Sequence, residues 1–223
     1  MTMPRPSAPA LASSRARLGA AALAAAGVLF LLYPLVRPWA DETTMDGARA
    51  MASAAWVASH LFAMVGFILA SLGLLALHLV LDRRFTLPAV VVTWLGAGLT
   101  LPYYGAEDFG LNAIAVRAVR EHDASLIDLV DQFRYAPVAI TTFAVGLALL
   151  GVGAVIAAVA VWRSGVLHRW SAVPLAAGFA LFIPQFFGTP AMRIAHGALT
   201  AVGGLWLAAE LWRAGRAQDG AAG

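Results

Sequence analysis

Two carboxylates, Glu107 and Asp108, stand side by side in the stretch Leu101-Pro-Tyr-Tyr-Gly-Ala-Glu-Asp-Phe-Gly-Leu-Asn112. This stretch closes a strongly apolar run that begins near Pro88. A carboxyl group in apolar surroundings resists ionisation, so it can stay protonated and donate a proton. Aromatic faces, here Tyr103 and Tyr104, stabilise cations. Adjacent helical positions differ by about 100°, so one acid of the pair is expected to face a bundle interior. Tyr104, Asp108 and Asn112 share a stripe, which assigns the proton-donor role to Asp108. Glu107 has the longer reach. It is expected to meet Arg193 or to act as a second acid.

Other polar residues fall at the same depth. His60 lies about six residues into an apolar run, and Arg193 and His196 lie near the start of another. Gln185 and Phe186 close a further run. With Tyr103, Tyr104 and Asn112 they form a candidate substrate-binding set for a lipophilic small molecule. No cofactor is expected in this reading. In an alternative one, His60 and His196 on different helices ligate a haem, or join Glu107 or Asp108 around a divalent metal. Each residue also has a plainer role: a solvated helix end for the acids, a snorkelling anchor for Arg193, interhelical hydrogen bonds for the histidines, an interfacial belt for the aromatics. Glu210 is expected to pair with Arg213.

The elements that position these residues are membrane helices. The chain of 223 residues is 61% hydrophobic and 12% charged, with a mean hydropathy of +0.79. Soluble domains are usually nearer half apolar and a quarter charged. The apolar residues form blocks that predict an all-α integral membrane protein with six spans, at about 18–36, 54–81, 88–106, 136–162, 170–187 and 191–212. Residues 1–17 read as a disordered basic tail, 18–213 as one membrane domain and 214–223 as a flexible tail. Pro102 and Pro184 are candidate helix breakers. Residues 110–134 form the longest connection, where Leu126, Ile127, Val130 and Phe133 recur as an amphipathic surface helix does, with Ser125 and Asp128 as its capping pair.

All basic residues are arginine and there is no cysteine. A lysine Schiff base, disulfides and thiolate metal sites are therefore excluded. Arginines on the side of the two termini (residues 5, 15, 17, 83, 84, 163, 169, 213 and 216) outnumber those on the other side (37, 49, 117, 120, 134 and 193). The positive-inside rule then places both termini in the cytoplasm, the 106–135 connection outside, and the protein in the plasma membrane as a multi-pass chain. The arginines are spread over loop ends. That pattern serves topology and membrane-lipid contact rather than nucleic-acid binding.

The segment Tyr103-Tyr-Gly-Ala-Glu-Asp108, with the chain's size and helical character, resembles the small integral-membrane terpene cyclases of fungal meroterpenoid and bacterial indole-terpenoid pathways. The acids are adjacent here, whereas the fungal enzymes have well-separated acids. The resemblance implies proton-initiated cyclisation of an isoprenoid, with Asp108 and Glu107 as its acids. The competing classes are a haem electron-transfer protein, and a proton-coupled transporter or accessory subunit without catalysis. No sequence feature specifies a protein partner.

Overall fold

The computed structural model describes residues 8–81 and 84–220, with side chains from 13 to 217. Residues 1–7 of the expected tail, Asp82, Arg83 and 221–223 lie outside the described residues. No strand occurs among the described residues. The long elements are α1 (Ala8–Val36), α3 (Ala54–Leu81), α4 (Thr86–Gly105), α7 (Pro137–Ser164) and α10 (Pro190–Gly220). Among the described residues, five helices are long and apolar enough to cross a membrane. The segment 8–17, expected as tail, forms the first turns of α1.

Small residues set the packing. The backbones of α1 and α10 approach so closely at Gly27 and Gly204 that a Cβ on Gly204 would lie 2.8 Å from the Leu23 carbonyl oxygen. In a membrane, where apolar surface gains nothing by leaving lipid, such close approach is a main source of helix association. Neighbouring positions also give the directions. Gly73 of α3 faces Leu23 and Gly66 faces Phe30, so α1 and α3 run antiparallel. Gly153 of α7 faces Thr93 and Gly146 faces Thr100, so α4 and α7 do too. One end of the bundle, here called the upper end, therefore gathers the end of α1, the start of α3, the end of α4, and the starts of α7 and α10.

The fifth apolar run departs from the single helix expected over 170–187. It forms α8 (Val173–Ala180) and a short α9 (Phe182–Gln185), separated at Leu181. The cause is Pro184, which has no N–H for the Ala180 carbonyl and whose ring clashes with it. Together they carry the chain from the lower end of α7 back to the upper start of α10, with Leu175 against Gly203 and Gly178 against Thr200. At the lower end Glu210 pairs with Arg213, as its spacing suggested.

The third run also departs from expectation. It does not end near residue 106 but continues through a π-helical segment (Ala106–Gly110) into α5 (Leu111–Glu121). The whole rod has 36 residues, about 54 Å at 1.5 Å each, which exceeds a hydrocarbon layer of roughly 30 Å. The surplus packs with α2 (Met45–Met51), a 3₁₀ turn (Ala124–Ile127) and α6 (Asp128–Arg134) into a cap with its own core of Met51, Trp56, Leu111, Ala115, Ile127 and Val130. The amphipathic helix expected over 126–133 is therefore a 3₁₀ turn followed by the short helix α6, and Asp123, not Ser125, caps its start by accepting from the Ser125 N–H at 2.9 Å.

Candidate functional site: a charged and aromatic chamber at the upper end

Beneath the cap lies a chamber of about 610 Å³. Its polar wall is a chain of charges. Arg37, one residue past α1, donates to Tyr33 Oη at 3.0 Å and to Glu42 Oε1 at 2.6 Å. Glu42 Oε2 takes Arg134 at 2.6 Å, and Arg134 in turn holds both oxygens of Glu107 at 2.6 and 2.8 Å. Arg134 ends α6, where a positive charge suits the helix dipole. The Arg37 guanidinium also lies over the Trp56 ring at 4.7 Å and the Trp39 ring at 5.3 Å.

Burial works against the Glu42 charge, but Arg37 and Arg134 more than offset it and hold that carboxyl below its ordinary range. Burial likewise opposes the charges on Arg37 and Arg134. Tyr33, Glu42 and Glu107 hold the first above its ordinary value, and Glu107 and Glu42 the second. For Arg37, Glu42 and Arg134 the neighbouring charges thus more than offset the cost of burial.

The π-helical segment decides which way the acids face. One extra residue in a turn frees a carbonyl from its usual donor. Here the Glu107 carbonyl accepts from Trp56 Nε1 at 2.9 Å, and Leu111 N–H bonds five residues back to Ala106. Glu107 then reaches Arg134 across the chamber wall, not Arg193 as expected. Asp108 turns away. It is 0% exposed, is not part of the chamber lining, and neither of its oxygens accepts a hydrogen bond. Asn112 donates to the Met51 carbonyl at 2.8 Å and ties α5 to α2. The expected stripe Tyr104–Asp108–Asn112 is therefore broken by the bulge.

The remaining candidates divide in the same way. Tyr103, Tyr104, His60, Phe186 and Arg193 all line the chamber with Glu107. Tyr103 stacks on Phe143 at 4.1 Å between centroids. His60 Nδ1 lies 2.9 Å from the Trp56 carbonyl. A carbonyl only accepts, so Nδ1 carries the proton and Nε2 keeps its lone pair. Arg193 donates to the Gly188 and Phe186 carbonyls and lies between the Trp39 and Phe186 rings at 5.3 and 5.7 Å. Gln185 and His196 line not the chamber but a narrow cleft under Phe182, with Tyr33 and Arg193 common to both. His196 Nε2 donates to the Gly178 carbonyl at 2.7 Å and locks α10 to α8.

The two histidines therefore do not face each other across a common cavity, and one has its Nε2 occupied. The residues do not fit the alternative bis-imidazole haem. No group of three metal-ligating side chains occurs among the described residues, which removes the basis for the divalent-metal alternative.

Beyond its charged wall the chamber becomes apolar. Beside it along α7 lies a cavity of about 320 Å³ that shares Leu147 and Ile183 with the chamber, and then one of about 540 Å³ that shares Val155 and Ala180 with the second and reaches Trp162. The result is a trough between α7 and the broken α8–α9. Its lower part is lined by the small residues Ala176, Ala177 and Ala180 of α8, and its upper part reaches Ile183 beyond the break at Leu181.

Sequence reasoning did not include Arg37, Glu42 and Arg134 among the site residues. Arg37 and Arg134 entered only as topology charges. The signal available was their level: all three fall within a few residues of span ends on the His60 side. Comparison of the chain with protein-family models, with curated proteins and with solved structures finds no match in any of the three.

Proposed function

We propose that this protein binds a long-chain lipophilic molecule in the upper chamber, with its tail in the trough between α7 and α8–α9. The observation that carries this reading is the adjacency of a charged, aromatic chamber and an open apolar trough, with Leu147 and Ile183 lining both. Binding sites for small molecules are mostly apolar and concave, with few placed polar groups. In this reading the broken α8–α9 is a sixth crossing, both termini are cytoplasmic and the chamber lies in the outer leaflet of the plasma membrane. The arginine distribution supports that orientation.

Proton-initiated cyclisation, the expectation from the resemblance, requires a carboxyl group free to protonate the substrate. Both Glu107 oxygens are engaged by Arg134, and Asp108 stands outside the chamber lining. We therefore place binding ahead of chemistry. Acid–base chemistry on the bound molecule is the second reading, and the placement of His60 in the chamber lining, with Nδ1 held by the Trp56 carbonyl, favours it.

The test uses the purified full chain in detergent with a fluorescent, uncharged long-chain alcohol. Binding should saturate. Ala148 is exposed on the trough, so Ala148→Trp fills the trough without disturbing the interior and should weaken binding by about tenfold. Unsaturable uptake, or saturable uptake indifferent to Ala148→Trp, would overturn the proposal.

A further inference from the structure

Arg193 is the positive charge in the chamber with no carboxylate bound to it. Arg37 and Arg134 are interleaved with Glu42 and Glu107, and those two carboxylates have every oxygen engaged. Among the described residues no ion pair involves Arg193; its partners are two backbone carbonyls and two aromatic faces. Asp41 touches the chamber rim, but it is exposed and its Oδ1 accepts from both the Thr43 hydroxyl and the Thr43 N–H. Inside the rim the side chains thus present three guanidiniums and two carboxylates. A half-buried guanidinium in low-dielectric surroundings gains most from an anion that enters the same space.

The surroundings of Arg193 say what that anion is attached to. The guanidinium is fixed against the 186–188 turn by its hydrogen bonds, and Phe186, Phe187 and Ile183 lead from it to the trough. A ligand whose charge sits at Arg193 has its remainder directed along α9 into apolar space. A small hydrophilic anion would leave that space empty.

From this geometry, and resting on the binding reading above, we infer that the ligand is an amphiphile with one anionic head group, a carboxylate or a phosphate monoester, held by Arg193 with its single long chain in the trough.

The test is competition against the uncharged fluorescent alcohol on the full chain. Hexadecanoate and hexadecyl phosphate should displace it at roughly tenfold lower concentration than hexadecanol, the scale of one charge-assisted contact. Acetate and inorganic phosphate should not displace it in the same range. Arg193→Gln should bring the three long-chain competitors to within about twofold of one another, while Arg193→Lys keeps most of the difference. Equal displacement by hexadecanol and the anions on the parent chain overturns the head-group assignment and leaves the binding reading intact. Displacement by acetate or inorganic phosphate alone assigns Arg193 to a free anion and overturns the amphiphile. Retention of the anion preference in Arg193→Gln moves the head group to Arg37 or Arg134 and overturns the role of Arg193. If the alcohol shows no saturable binding at all, the binding reading itself fails. The parent-chain comparison needs no variant, so it decides the charge preference even if Arg193→Gln folds poorly.

Discussion

The α1–α10 seam and the α7–α8 seam are built from similar amounts of alanine and glycine, yet one is closed and the other holds a trough. In the first, two straight helices meet at Gly27 and Gly204 with backbone atoms in contact. In the second, Gly151 approaches Ala180 less closely, a Cβ there lying 3.2 Å from the Ala180 Cα, and the partner helix stops one residue later at Leu181. Pro184 converts the upper half of the second seam from a packing surface into a cavity wall.

Filling the closed seam should have the largest effect. Gly204→Leu would force α1 and α10 apart along backbone that cannot yield, so little folded protein should be recovered, a cost of about 3 kcal/mol or more. Recovery of monodisperse protein on gel filtration with parental melting would show that the seam is not tightly set.

Next is the charge chain that walls the open side. Glu107→Gln leaves Arg134 buried with only Glu42, and should destabilise by about 2–3 kcal/mol, somewhat below the cost of breaking a fully buried pair because the Arg134 and Glu107 side chains are 16% and 10% exposed. The double replacement Glu107→Gln with Arg134→Gln should recover part of the loss in thermal melts. Asp108→Asn should go the other way. Its carboxyl has no partner, and an amide is cheaper to bury, so the melting temperature should rise slightly. A large loss at Asp108→Asn would mean that this carboxyl is held by something essential.

Glu42 gives a pH signature. Its carboxyl is held below its usual range in the folded protein, so its contribution is present at neutral pH, above the unfolded value of about 4.3, and is lost as pH falls through the folded value. Melting temperature should drop steeply in that acid window, and Glu42→Gln should flatten the drop. The smallest effect on stability belongs to Ala148→Trp on the open seam, whose melting should match the parent even as binding weakens.

The gathering of His60, Tyr103, Tyr104, Glu107, Phe186 and Arg193 at one level was legible because depth along a helix follows from 1.5 Å per residue. The division between Glu107 and Asp108 was not. It depends on a π-helical segment whose freed carbonyl is stabilised by Trp56, a residue some fifty positions away. The partner of Glu107 was missed for a related reason: Arg134 lies in a connection whose folding over the chamber rests on the cap core, not on local periodicity. The break at Leu181 was half legible, since Pro184 marks it, but the trough it leaves appears only once α7 is placed beside it.

The central claim is that the chamber and trough together hold one long-chain molecule. The most direct measurement is the map of covalent adducts formed by an uncharged long-chain alcohol carrying a photoreactive group near its head. The account predicts adducts concentrated at Phe186, Ile183, Ala144 and Leu147, and their loss in Ala148→Trp. Adducts spread evenly over the lipid-facing residues Val65, Ile68 and Leu72 of α3 would contradict it.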